Sequence, residues 1–178
     1  MPNLALTDLR RDAIRVRGHT TIKKMPEASG QTFKEGDLLL VNDDSTIASA
    51  AAAGSQMEDG NELLYGIARA YASGTTNALI DVEVFEEDTE IRLPLFHTTA
   101  ANANFDNTMI GDVHPLINET TGSWMCDVTD ATNPILQISD RANDYDGVSM
   151  AVGDRYASVW CRVIRLQRAM GSEVAYPT

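Results

Sequence analysis

The chain has 178 residues, 43% of them hydrophobic, which suits one domain that folds without a metal or disulfide. No apolar run approaches the roughly 20 residues of a bilayer-spanning helix, so no membrane segment is expected. The net charge of −12 is uneven: +4 over residues 1–24, −19 over the middle and +3 over residues 155–178, and so acidic a body disfavours direct contact with nucleic acid.

Residues 1–24 read as a basic N-terminal arm, and 25–178 as a single β-rich body. The opening MPNLALTDLRRDAIRVRG lacks the uninterrupted apolar core of a secretory leader. Arg10, Arg11, Arg15 and Arg17 mix irregularly with Leu4, Leu6, Leu9, Ile14 and Val16, which makes no helical stripe. With Lys23 and Lys24 they are the candidate partner-binding residues. The segment IRVRGHTTIKK alternates briefly, so part of the arm is expected to join a sheet edge. Pro26, Ser29 and Gly30 then mark the entry to the body.

Gly36–Asp37 predicts a turn before a strand ending at Val41, and Asn42 to Ser45 predicts the next turn. The alanine-rich stretch 46–53 favours helix but is short. Residues 62–72 fit helical and strand spacing alike. The clearest element is a hairpin from Leu79 to Phe96. Its four-residue loop pairs Val84 with Ile91, Val82 with Leu93 and Ile80 with Leu95, and sets Glu83 opposite Arg92. Pro94 lacks a backbone donor, which predicts an edge position there.

Residues 97–108 form a polar loop, followed by strand-like stretches within 111–130 and at 135–139. The last strand, 156–166, is apolar on both faces and is either central or partner-facing. GDLLLVNDDS at 36–45 is echoed by GDVHPLINETT at 111–121, and each leads to a later apolar stretch, YGIARA or LQISDRA. Shared turn grammar and a duplicated half-barrel both account for the echo.

Chemistry-bearing patterns are missing. His19, His97 and His114 form no HxH or HxxxH spacing, and no GxSxG, P-loop or GxGxxG occurs, so the expectation is no enzyme, no cofactor and no metal. FEEDTE at 85–90 reads as a solvated turn. NDYDG at 143–147 fails as an EF-hand, because Ala142 and Gly153 stand where oxygen ligands belong. Asn118–Glu119–Thr120 fits the glycosylation pattern by chance. Cys126 and Cys161 read as small buried hydrophobes, with a disulfide as the alternative. The fold class is therefore mainly β: an antiparallel barrel or sandwich with an extended N-terminal arm and little helix.

Four segments follow one another through residues 30–166: GQTFKEGDLLLVNDDSTIASAAAAG, YGIARAYASGTTNALIDVEVF, IGDVHPLINETTGSWMCDVTDATNPILQISD and VGDRYASVWCRVI. In this order they resemble the small β-rich decoration, or cement, proteins of tailed bacteriophages, in layout and turn grammar. The long basic arm and the loop 97–108 depart from that layout. The resemblance implies a virion protein on the outer capsid surface, bound to the major capsid protein as a homo-oligomer, a trimer, that stiffens the shell. It carries over no catalytic residues. Two other readings stand beside it. A tail-tube or head–tail joining subunit predicts rings or tubes, and a carbohydrate-binding or adhesion module predicts Trp124, Tyr145 and Trp160 as stacking platforms.

Overall fold

Alternating apolar residues bounded by Gly, Asn and Asp turns favour strands, and strands dominate the computed structural model. It describes residues 14–57, 64–99, 102–119, 123–132, 134–142, 157–167 and 173–175. The strands among them form two sheets, and the only turn of helix with a named span is a 3-10 turn at Asn107–Met109. The eight-stranded sheet runs β5 (Ser55–Gln56), β10 (Leu116–Asn118), β11 (Trp124–Asp127), β8 (Glu90–Phe96), β13 (Ser158–Val163), β12 (Leu136–Arg141) and β9 (Val113–His114). In it β1 (Val16–Arg17) also pairs β8. The seven-stranded sheet runs β15 (Glu173–Ala175), β14 (Arg165–Gln167), β6 (Leu64–Ala68), β3 (Leu38–Val41) and β4 (Ile47–Ser49). There β7 (Leu79–Phe85) pairs β6, and β2 (Thr20–Pro26) pairs β7.

The two sheets enclose the main core, making a β-sandwich. Leu38, Leu40, Leu64, Ile67 and Phe85 from one sheet meet Ile91, Leu93, Leu95, Cys126, Val159 and Cys161 from the other. Each such aliphatic side chain contributes about 1.5–3 kcal/mol on burial. The opposite face of the seven-stranded sheet is apolar too, through Leu39, Val41, Tyr65, Ile80, Val82 and Val84. Residues 27–37 and 69–78 cover it, with Phe33 in the cluster and Ala70 and Ala72 packed against it. Buried Glu27 anchors that cover by accepting the N–H groups of Ser73 and Gly74, both at 2.8 Å.

The predicted hairpin is corrected. Both strands form over the expected residues, yet β7 and β8 lie in different sheets and do not pair. Ile80, Val82 and Val84 fill the outer cluster while Ile91, Leu93 and Leu95 fill the main core, so each apolar row finds its own burial. The expected Glu83–Arg92 pair is absent; Glu83 binds Arg69 and Thr20 instead. Residues 86–89 turn the corner between sheets, with the Thr89 N–H donating to the Glu86 carbonyl. The β1–β2 segment makes the same crossing alongside: β1 lies on β8, β2 on β7, and Gly18 sits against the corner.

Pro94 is likewise corrected from edge to central strand, since β8 lies between β13 on one side and β1 and β11 on the other. The reason is local. The Leu95 N–H donates to Ala157 of the β13 side and the Arg92 N–H to Arg15 of the β1 side. Strand alternation therefore turns position 94 toward the gap where β1 pairing ends at Ile91 and β11 pairing begins at Leu95.

The ambiguous stretches contain strands β4 and β6, and the last predicted strand bends at Ile164, leaving β13 central and carrying β14 into the other sheet. The boundary drawn between residues 24 and 25 falls inside β2. Residues 1–13 and the NDYDG segment lie outside the described residues.

The internal echo is a structural one. Gly36 donates to Ala68, whose N–H returns to Asp37; Gly111 donates to Ile138, whose N–H returns to Asp112. Both glycines have positive φ, +90° and +98°. β3 pairs β4 and β6, and β6 pairs β7; correspondingly β10 pairs β11, β9 pairs β12, and β12 pairs β13. After each set the chain crosses sheets, as β8 and as β14. Each half thus lends its last strand to the sheet of the other.

Candidate functional site

The six basic residues fare differently. Arg10 and Arg11 lie outside the described residues. Arg17 binds Glu90, approaches Asp140 at 3.7 Å and lies 4.5 Å from the Trp160 ring centroid, so it pins β1 to the sheet. Arg15 is exposed, and its carbonyl accepts the Arg92 N–H. Lys24 pairs with Asp81 at 2.9 Å. Lys23 is exposed and makes no ion pair among the described residues.

Lys23 and Lys24 belong to β2, which has β7 on one side and no strand on the other among the described residues. Four successive residues of this strand, Thr21 to Lys24, are exposed. Its register sets Ile22 beside Glu83, Lys24 beside Asp81 and Pro26 beside Leu79. Ile22 is 67% exposed and Leu79 63%, two of the four large hydrophobic residues that face water among the described residues. A third, Tyr71, follows the end of β6 between Ala70 and Ala72, which pack on the outer cluster. Ion pairs Lys24–Asp81 and Arg69–Glu83 lie within this apolar set. The result is a mixed patch at an open sheet edge, which arises only when β2 and β7 come together.

An open cleft of about 680 Å³ adjoins the same strand, lined by His19, Thr21, Lys23, Val84, Glu86 and Asp88 among others. At its rim the His19 N–H donates to Asp88 Oδ1 at 3.2 Å, and its ring Nδ1 lies 2.5 Å from Oδ2. This contact raises the His19 pKa and lowers that of Asp88. The Thr89 hydroxyl donates to the His19 carbonyl at 2.6 Å and accepts the Glu86 N–H at 2.7 Å. FEEDTE is thus a fastened corner between sheets rather than a hairpin tip, and its Glu87 and Asp88 are exposed, as expected of a solvated turn.

The two remaining histidines hold local partners. His97 Nδ1 accepts the Thr99 N–H, and His114 Nδ1 bonds the Asp130 carbonyl, so the histidines hold separate partners. No group of three His, Cys, Asp or Glu side chains placed to hold a metal occurs among the described residues. Cys126 and Cys161 are free and buried, and the Cys161 thiol is raised well above its usual range by a hydrogen bond with Cys126 and by burial. Trp124 is buried with its Nε1 donating to Asp37, and Arg17 stacks on Trp160, so neither offers an open stacking face. The side-chain amide of Asn118 is buried and donates to the Ala51 carbonyl. No protein-family model matches the chain, and no curated protein matches its sequence.

Proposed function

We propose that the chain is a non-enzymatic virion structural protein that docks on the outer surface of a phage capsid and stabilises it as a decoration protein. The observation that carries the reading is the open basic edge of β2, with Ile22 and Leu79 exposed beside it, on a chain whose residues 25–154 carry a net charge of −19. Such an edge suits attachment to a protein surface, because main-chain hydrogen bonds supply affinity and flanking side chains supply choice. A sandwich buried on both faces of one sheet suits a part that must stay stiff. The layout shared with decoration proteins supplies the shell as partner and the trimer as assembly. Weak single contacts suffice there, since a trimer engaging several subunits gains roughly 10²–10⁴ in avidity.

Light scattering followed by co-sedimentation with empty phage heads tests this. The expected result is a soluble trimer that pellets with finished shells, less so as salt rises. Rings or tubes formed by the protein alone would favour a tail-tube or joining subunit. A monomer with no affinity for any shell would end the decoration reading.

A further inference from the structure

We infer that the open edge of β2 receives an extended acidic segment of the shell subunit as an added strand. This deepens the docking reading and rests on it. The first support is hydrogen-bond phase. The Glu27 N–H donates to the Ala78 carbonyl, so on the antiparallel ladder the backbone groups of Lys23 and Met25 face β7. Those of Ile22 and Lys24 then face away from the sheet. Thr20 faces the same way at the start of the strand and Pro26 has no N–H, which leaves Thr20, Ile22 and Lys24 as the donors an incoming strand would meet.

The second support comes from the repeated arrangement of the two halves. β7 and β13 occupy corresponding places, each antiparallel to its half's preceding strand. The far neighbour of β13 is β8, which is flanked in turn by β1 and β11. The far neighbour of β7 is β2, and beyond it no strand follows among the described residues. One sheet is completed at this place and the other is left open.

The third support is chemistry. Lys23 lacks an acidic partner among the described residues, and Lys24 neighbours it. In full overlap a second copy of β2 would set Lys23 against Lys23, which opposes self-pairing. The same lysines attract carboxylates. Exposed Ile22 calls for an apolar neighbour, so the fitting segment has one apolar residue next to two acids, opposite Ile22, Lys23 and Lys24.

The test uses two synthetic peptides of about eight residues, matched to one strand length. One carries a valine beside two glutamates in a threonine-rich frame; the other replaces the glutamates with lysines. Titrated into the isotopically labelled full chain, the glutamate peptide should shift the Ile22 and Lys24 amides and slow their exchange. The lysine peptide should bind roughly tenfold more weakly or worse, and Lys23→Glu with Lys24→Glu should invert the preference. Ile22→Pro should abolish binding, because it removes an outward donor while sparing the β7 ladder. Equal binding of both peptides, or shifts confined to other strands, would overturn the assignment. Co-sedimentation with empty heads separates the two readings. If the unaltered chain and both variants pellet alike, β2 is not the docking edge although decoration stands. If none pellets while the glutamate peptide still engages β2, the shell is overturned as the source of the strand, and decoration falls with it.

Discussion

Gly18 has φ +96°, and a Cβ there would overlap the Asp88 carbonyl oxygen, a backbone atom that can yield only if the corner moves. Gly18→Ala is therefore expected to cost about 2–4 kcal/mol, combining left-handed strain with overpacking. Urea unfolding measures it, and an unchanged midpoint would mean that the two crossings do not abut. The neighbouring His19–Asp88 pair is solvent-exposed and belongs to a pH argument. A histidine raised above its ordinary value near 6.5 contributes most below that value, and its contribution is lost as pH rises through the raised pKa. Asp88 is lowered, so its share is present above its ordinary value near 3.8 and lost as pH falls through the lowered pKa. NMR titration should place the His19 midpoint above 6.5, and Asp88→Asn should bring it down. A midpoint indifferent to Asp88→Asn would show that the pair does not form.

Strands β1 and β2 cross together with β8 and β7, so the arm's last residues are structural on both sheets. Deleting residues 1–24 removes β1 and most of β2, together with the Arg17 contacts to Glu90 and Trp160. The truncated chain is expected to expose the β7 edge and aggregate, by light scattering and loss of a cooperative melt. A soluble, cooperatively folding product would show that β1 and β2 are dispensable. At this scale the alternating strands were legible, including the one expected within IRVRGHTTIKK, while β4 in an alanine-rich stretch and β6 with its two-way spacing were not. Strand partners were not legible either. Period-two patterning shows which residues share a face, and the pattern of 79–96 is equally satisfied by a hairpin within one sheet or a corner between two. The Gly18 contact with Asp88 joins residues far apart in the chain, and no local signal announces it.

Two halves that exchange their last strands make one body rather than two stacked units. Additional ties cross between the sheets: the Trp124 Nε1–H donates to buried Asp37 at 3.2 Å, and Asp37 also accepts the Lys34 N–H. The echo between residues 36–45 and 111–121 left turn grammar and duplication open; in the structure each Gly-Asp turn starts a strand whose later partner is met through the same pair of backbone bonds. Composition, turn chemistry and alternation by themselves determined the β class, the positions of the alternating strands and the basic character of the arm, because these depend on near neighbours along the chain; the alanine-rich stretch holding β4 and the two-way spacing of β6 did not declare themselves. Which strands pair, which lysine stays unengaged and which apolar residues face water were decided only by tertiary structure. Sheet membership and burial depend on segments far apart in the chain, and their energies enter only when those segments meet.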